Sequence, residues 1–244
     1  MSNLKLKLVH LYPLFLNIYG DIGNVKDLQK RCEWRGIELE VQQFNVGDTL
    51  EEGNDIYFMG GGQDRQQVEV SEELQKYKNF LTDEYNNDAV FLGICGGYQL
   101  MGEYYQPHDA KRLEGIGILN AYTVAGSNRF IGNVTAKTDL PIGKDTLVGF
   151  ENHSGLTYLR GETTPMAHVV VGHGNNGVDK TEGARSRNAF GTYLHGSFLP
   201  KNPHFADYMI KLALKKKYND DIELEPLDDT IEMKAHESVL YKTY

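Results

Sequence analysis

Hydrophobic and polar positions follow two different rhythms along the chain. In the first half, short apolar runs are separated by longer stretches with helix-face spacing. Residues 4–11 read as a strand, Asp21 offers an N-cap for a helix to about Arg35, and Gly36 stops that helix. Residues 37–44 alternate as a second strand. The apolar run 55–59 breaks into Gly60-Gly61-Gly62. From about residue 66 to 85 the spacing predicts a helix, with Leu74, Tyr77, Phe80 and Leu81 on one face and Asp64 as its cap. Residues 89–94 read as a buried strand, with a further helix beginning after Cys95. Strands alternating with helices in this way predict a mostly parallel sheet covered on both faces.

The second half has another rhythm. Strands are expected at 118–125, 130–137, 146–151, 167–172 and 190–194, separated by Gly, Asn and Asp turns. Helices at about 203–217 and 229–241 close the chain. The expected fold is a single α/β domain: a mostly parallel central sheet flanked by helices, with an antiparallel strand extension in the second half. Residues 1–200 form the main unit, and 201–244 supply C-terminal helices packed on it.

Composition narrows the class of function. The chain has 244 residues, 40% of them hydrophobic and 24% charged, as expected of a folded globule. Its 34 acidic and 25 basic residues give a net charge of −9, which argues against nucleic acid as a partner. The two cysteines, Cys32 and Cys95, lack metal-site spacing and cannot form a disulfide framework. No apolar run reaches about 18 residues, so no transmembrane segment is expected, and the chain reads as cytoplasmic.

The segment Gly93-Ile94-Cys95-Gly96-Gly97-Tyr98-Gln99 carries the strongest chemical signal. It sets a lone thiol between a buried strand and a helix, the cysteine counterpart of the elbow that presents a nucleophilic serine. The flanking glycines permit a sharp turn, and the helix start favours a thiolate. The alternative is an inert core thiol. A nucleophile needs a base, and among eight histidines His195, at the end of an expected strand, is the first choice. His153, in Gly149-Phe150-Glu151-Asn152-His153, is the second. The triple glycine lacks the Lys-Ser or Lys-Thr of a P-loop and fails the Rossmann fingerprint. It reads better as part of an oxyanion hole, with Gly61, Gly62 and Gly96 as donors, or as a tight turn.

Together with Tyr193-Leu194-His195-Gly196, these motifs resemble class I glutamine amidotransferases. They look most like the branch that includes the glutaminase domains of cobyric acid synthase and cobyrinic acid diamide synthase. Asn17-Ile18-Tyr19-Gly20-Asp21-Ile22-Gly23-Asn24 and Ser127-Asn128-Arg129-Phe130 resemble the free-standing glutaminase subunits of that branch, which work with a Mur-ligase-like subunit, MurT. The resemblance implies Cys95 as nucleophile, His195 as acid and base, Arg129 as anchor for the glutamine α-carboxylate, and Gln99 as a wall of the glutamine pocket. It further implies a heterodimer that amidates the D-glutamate α-carboxyl of lipid II, the acceptor being reached through the partner. No cofactor or metal is expected in this chain, with ATP and Mg on the partner. A synthetase for corrinoid amidation is the alternative client. Outside the family, a cysteine hydrolase or deglycase and a non-catalytic binding module are the competing classes.

One departure stands out. Many class I members carry a glutamate two residues beyond the histidine, and here that position is Ser197. A dyad that suffices, an acid in this chain and an acid from the partner are all open. Glu151 and Asp21 are the in-chain candidates, with alternative roles as a strand-end charge and a helix cap. The expectation is that the partner supplies the acid. In the C-terminal segment, Leu224, Leu227, Ile231 and Val239 leave partner docking and simple packing equally open.

Overall fold

The structure is a computed structural model that describes residues 4–242; residues 1–3 and 243–244 of the two expected units lie outside the described residues. The first half follows the expected alternation: β1 (Lys5–Leu11), α1 (Ile22–Glu33), β2 (Glu38–Phe44), β3 (Ile56–Met59), α2 (Asp64–Leu74), α3 (Lys78–Asn86), β4 (Val90–Ile94) and α4 (Gly96–Met101). The long helix expected over residues 66–85 is two helices, divided by a 3₁₀ turn at Gln75–Tyr77. The N-cap position of α2 is Gln63, one residue before the expected Asp64, and the Gln66 side chain accepts the Gln63 N–H at 3.1 Å in a capping box.

The second half contains β5 (Tyr104–Gln106), β6 (Leu113–Glu114), β7 (Ala121–Lys137), β8 (Thr146–Leu159), β9 (Ala167–Val171), β10 (Thr181–Glu182), β11 (Ala184–Ser186) and β12 (Ala189–Thr192). It ends with α5 (Pro203–Tyr218) and α6 (Thr230–Val239). These strands do not simply extend the first sheet. One six-stranded sheet has the order β11-β12-β4-β3-β1-β2, all parallel except β11. A second, six-stranded and mainly antiparallel sheet runs β10-β9-β7-β5-β6, with β8 also paired to β7.

Burial explains the first sheet. Strands β3 and β4 are buried at every position, as central parallel strands covered on both faces must be. At the edge, β2 alternates exposed and half-buried residues. Helices α1 and α5 pack together against this sheet, while α2 and α4 pack on each other. Because β1, β3, β4 and β12 are parallel, the loops after all four emerge at one carboxyl edge. The chain leaves β1 to either side, to β2 and to β3, so a switch point lies there too, where open α/β sheets form their crevices.

In the second sheet, β7 and β8 are far longer than the expected segments. Ala125 pairs with Gly155 and Phe130 with His153, so residues 126–129 bulge out opposite Ser154 alone. The turn-like residues Gly126, Ser127 and Asn128 therefore mark a bulge inside one strand. The two sheets join at the site: Phe150 and His195 exchange backbone hydrogen bonds of 3.2 and 2.9 Å.

The C-terminal segment is held both by polar anchors and by apolar contacts, with Ile222 and Leu224 packed against the core. Buried Arg31 on α1 pairs with Asp207 at 2.7 Å and bidentately with Asp229 at 2.6 and 3.0 Å, while Ile231 is exposed. Among the described residues, no helix is long and apolar enough to cross a membrane.

Candidate active site

Cys95 sits where β4 turns into α4, at φ 50° and ψ −102°. A left-handed φ on a residue with a Cβ costs about 1–3 kcal/mol, and the surroundings enforce it. The Cys95 N–H donates to the Thr192 carbonyl at 2.8 Å, and the Gly97 N–H to the Gly60 carbonyl at 3.0 Å. A Cβ on Gly97 would strike the Met59 carbonyl, and one on Gly93 would lie 2.8 Å from the Tyr98 nitrogen. Only glycine lets this elbow press against the neighbouring strand ends. The result is a thiol on the wall of a cavity of about 410 Å³.

His195 arrives from β12, the strand hydrogen-bonded beside β4, so the register of two adjacent parallel strands brings imidazole and thiol together. The two side chains are close enough for Cys95 to be the first of the groups that raise the His195 ring. Behind the ring, Asp21 Oδ1 lies 3.5 Å from His195 Nδ1, with both side chains almost fully buried. Burial opposes the charged ring, but the negative charge on Cys95 and the Asp21 carboxylate outweigh it, pushing His195 up to about 10. The site thus favours the protonated ring of His195, set between Cys95 and Asp21. Of the two in-chain candidates for the orienting acid, Asp21 is the one beside the ring. Ser197, in the place of the usual glutamate, donates instead to the Gly20 carbonyl at 2.8 Å.

Asp21 differs from its expected role. Although it precedes α1, its side chain makes no cap; Asn17 Oδ1 accepts the Ile22 N–H at 2.8 Å instead. The Asp21 carboxylate turns inward and takes the Gly61 N–H at 2.6 Å. That bond removes Gly61 from the expected oxyanion hole. The N–H groups of Gly62 and Gly96 make no hydrogen bond among the described residues, and a Cβ on Gly96 would lie 3.0 Å from the Gly62 nitrogen. These two donors flank the thiol as an oxyanion hole requires.

The other in-chain candidates have different duties. Glu151 accepts the His173 N–H at 3.0 Å, the Gly174 N–H at 2.9 Å and His173 Nδ1 at 2.7 Å, so it fastens the turn after β9. His153 lies inside β8 rather than after a strand. It stacks on Tyr193 with ring centroids 3.6 Å apart and donates Nδ1–H to the Gly155 carbonyl at 2.9 Å. Burial pushes it down to about 3, so the ring is neutral. Gln99 lines the cavity and donates to the Tyr193 hydroxyl at 3.1 Å. Arg129, carried by the β7 bulge, stands at the cavity mouth, where its Nε donates to Asn152 Oδ1 at 2.6 Å.

Sequence reasoning overlooked Tyr19, Arg65, Gln67 and Asn152, all of which line the cavity. Tyr19 and Asn152 fall within quoted motifs, but nothing in their spacing marks them as wall residues. Cys32, by contrast, is fully buried in α1, and burial pushes its thiol up to about 12. Among the described residues, no three His, Cys, Asp or Glu side chains gather as a metal site.

Comparison with known proteins agrees with this geometry. The chain is 40% identical over 240 residues to the GatD subunit of lipid II isoglutaminyl synthase (glutamine-hydrolyzing) from Staphylococcus aureus strain N315, covering 97% of this chain and 95% of that protein. It is 38% identical over 235 residues to the subunit of the same name from Streptococcus pneumoniae strain R6, covering 96% and 90%. A glutamine amidotransferase structure from Thermotoga maritima superposes with a TM-score of 0.58 at 16% identity, over 96% of this chain and 93% of that one, and shares the fold. Residues 7–203 match the CobB/CobQ-like glutamine amidotransferase domain, a span that takes in every strand end around the cavity. By that match, this chain belongs to the family of CobB/CobQ-like glutamine amidotransferases.

Proposed function

We propose that the chain is the glutaminase subunit of a lipid II amidating enzyme, releasing ammonia from L-glutamine for a Mur-ligase-like synthetase, MurT. The observation that carries the reading is the Cys95–His195–Asp21 array, with Cys95 on the wall of a cavity and the other two buried behind it, in a chain similar over nearly its whole length to two GatD subunits.

The chemistry follows from the geometry. The Cys95 sulfur attacks the side-chain amide carbon of glutamine, and the Gly62 and Gly96 N–H groups receive the oxyanion. The His195 imidazolium gives its proton to the departing nitrogen, and ammonia leaves a γ-glutamyl thioester. The ring, now neutral, takes a proton from water as the water attacks the thioester; glutamate leaves and the thiolate–imidazolium pair returns. Asp21 holds the ring and offsets its charge, as the carboxylate of a triad does. Arg129 anchors the α-carboxylate, with Gln99 in the wall beside it. ATP-dependent activation of the D-glutamate α-carboxyl belongs to the partner.

Since the chain carries its own acid, the isolated protein is expected to hydrolyse glutamine. Co-expression with a Mur-ligase-like subunit should yield a heterodimer that moves ¹⁵N from the glutamine amide into lipid II. Cys95→Ala should abolish that transfer while amidation from added ammonium salt survives. Nitrogen transfer to a corrinoid acid, with lipid II untouched, would contradict the pathway but leave the glutaminase intact.

A further inference from the structure

We infer that Tyr19 is a specificity-determining residue that joins the carboxylate anchor to the base, an inference that rests on glutamine being the substrate. Three side chains from three separate elements meet at the cavity mouth. Arg129 on the β7 bulge donates Nε–H to Asn152 Oδ1 at 2.6 Å, and Asn152 on β8 donates Nδ2–H to the Tyr19 hydroxyl at 2.9 Å. Arg129 Nη2 donates to the same hydroxyl at 3.4 Å. The Tyr19 oxygen therefore accepts twice, and its own proton has no acceptor among the described residues. Tyr19 and Arg129 both line the cavity. A carboxylate placed there meets the phenolic O–H and the remaining guanidinium N–H groups together, two donor types on one anion.

The same side chain reaches the base. The Tyr19 ring stands edge-on to the His195 imidazole, centroids 5.0 Å apart at 72°. Its backbone is held at φ 54° and ψ 25°, a left-handed conformation that a tyrosine adopts only when its surroundings impose it. The restraint is local: the Ile18 N–H donates to the Gly61 carbonyl at 3.1 Å, and Asp21, two residues on, takes the Gly61 N–H. One loop thus presents the carboxylate that holds His195 and the phenol that faces the substrate. Bound carboxylate fixes the hydroxyl, and the hydroxyl fixes the ring against His195.

The test uses the full chain, with glutamine compared against 4-aminobutanamide, which is glutamine without its α-carboxylate. Tyr19→Phe keeps the ring and removes the hydroxyl; KM for glutamine should rise about tenfold with kcat within about twofold, the loss expected of one hydrogen bond to a charged group. Its kcat/KM for 4-aminobutanamide should match that of the wild type. Tyr19→Leu should add a loss in kcat, because it also uncovers His195. Asn152→Ala should raise KM, and adding Tyr19→Phe to it should cost less than Tyr19→Phe costs alone. An unchanged KM in Tyr19→Phe, or equal losses on both amides, would overturn the inference while leaving glutamine hydrolysis by the wild type standing. A wild-type chain inert toward glutamine would overturn the functional reading and this inference with it.

Discussion

Two regions meet at the cavity, each holding a buried histidine, His153 in the cavity wall and His195 behind Cys95, and they poise these rings in opposite senses. At the carboxyl edge of the parallel sheet, His195 lies between Cys95 and Asp21 and is pushed up to about 10. On the antiparallel sheet, His153 is stacked on Tyr193, meets a backbone carbonyl and is pushed down to about 3. Both are nearly inaccessible, so burial does not separate them. Partners do. Cys95 and Asp21 favour the protonated form of one ring, whereas burial against an aromatic face keeps the other neutral, the Glu151 carboxylate at 3.9 Å from its Nε2 being too far to hydrogen-bond.

Replacing the groups of the first region should have the largest effect. Cys95→Ala should bring glutamine hydrolysis to background, and His195→Ala should lower kcat by about 10²–10⁴-fold; steady-state assays on variants with unchanged circular dichroism check both. Asp21→Asn comes next. It removes a carboxylate that raises His195, so kcat should fall about 10–100-fold, and the alkaline limb of the pH–rate profile should move to lower pH. An Asp21→Asn enzyme with the wild-type profile would contradict the role given to this carboxylate.

Smaller changes are expected from the second region. His153→Gln should lower kcat less than about tenfold and leave the shape of the pH–rate profile unchanged, since a neutral ring supplies no titration in the working range. Its cost should appear in stability, about 1–3 kcal/mol for the lost stacking and buried hydrogen bond.

The finest distinction lies in the sign of the pH dependence. His195 is raised from 6.5 on folding, so its contribution is complete below about pH 6.5 and lost as pH rises through about 10. His153 is lowered from 6.5, so its contribution is complete above about pH 6.5 and lost as pH falls toward about 3. The stability difference between wild type and His153→Gln should therefore shrink on acidification from pH 7. The difference from His195→Gln should shrink toward pH 10. Denaturant titrations across that range read both.

How much of this was legible in the sequence depended on whether a feature is local. Cys95, Gly62 and Gly96 announce themselves, because apolar runs ending in glycines mark strand ends at which functional groups collect. His195 follows the same logic on β12. The long strands β7 and β8 were harder to read, because Gly126, Ser127 and Asn128 look like a turn locally, and only pairing with β8 makes them a bulge. Asp21 was obscured by its place before α1, where an aspartate ordinarily caps; its partners Gly61 and His195 lie on other strand ends. Asp21 also took the Gly61 N–H that the sequence had reserved for the oxyanion. Such exchanges depend on three-dimensional neighbours, and one-dimensional spacing does not encode them.

The central claim is that Cys95 alone is the nucleophile, in a pocket shaped for glutamine. Its most direct test is alkylation of the native chain by a glutamine analogue bearing an electrophilic carbon in place of the side-chain amide, with the adduct mapped by mass spectrometry. The account predicts one adduct per chain, on Cys95, suppressed by L-glutamine and absent from Cys32 until the protein is unfolded. Labelling of Cys32 in the native chain, or labelling of Cys95 that glutamine does not suppress, would contradict it.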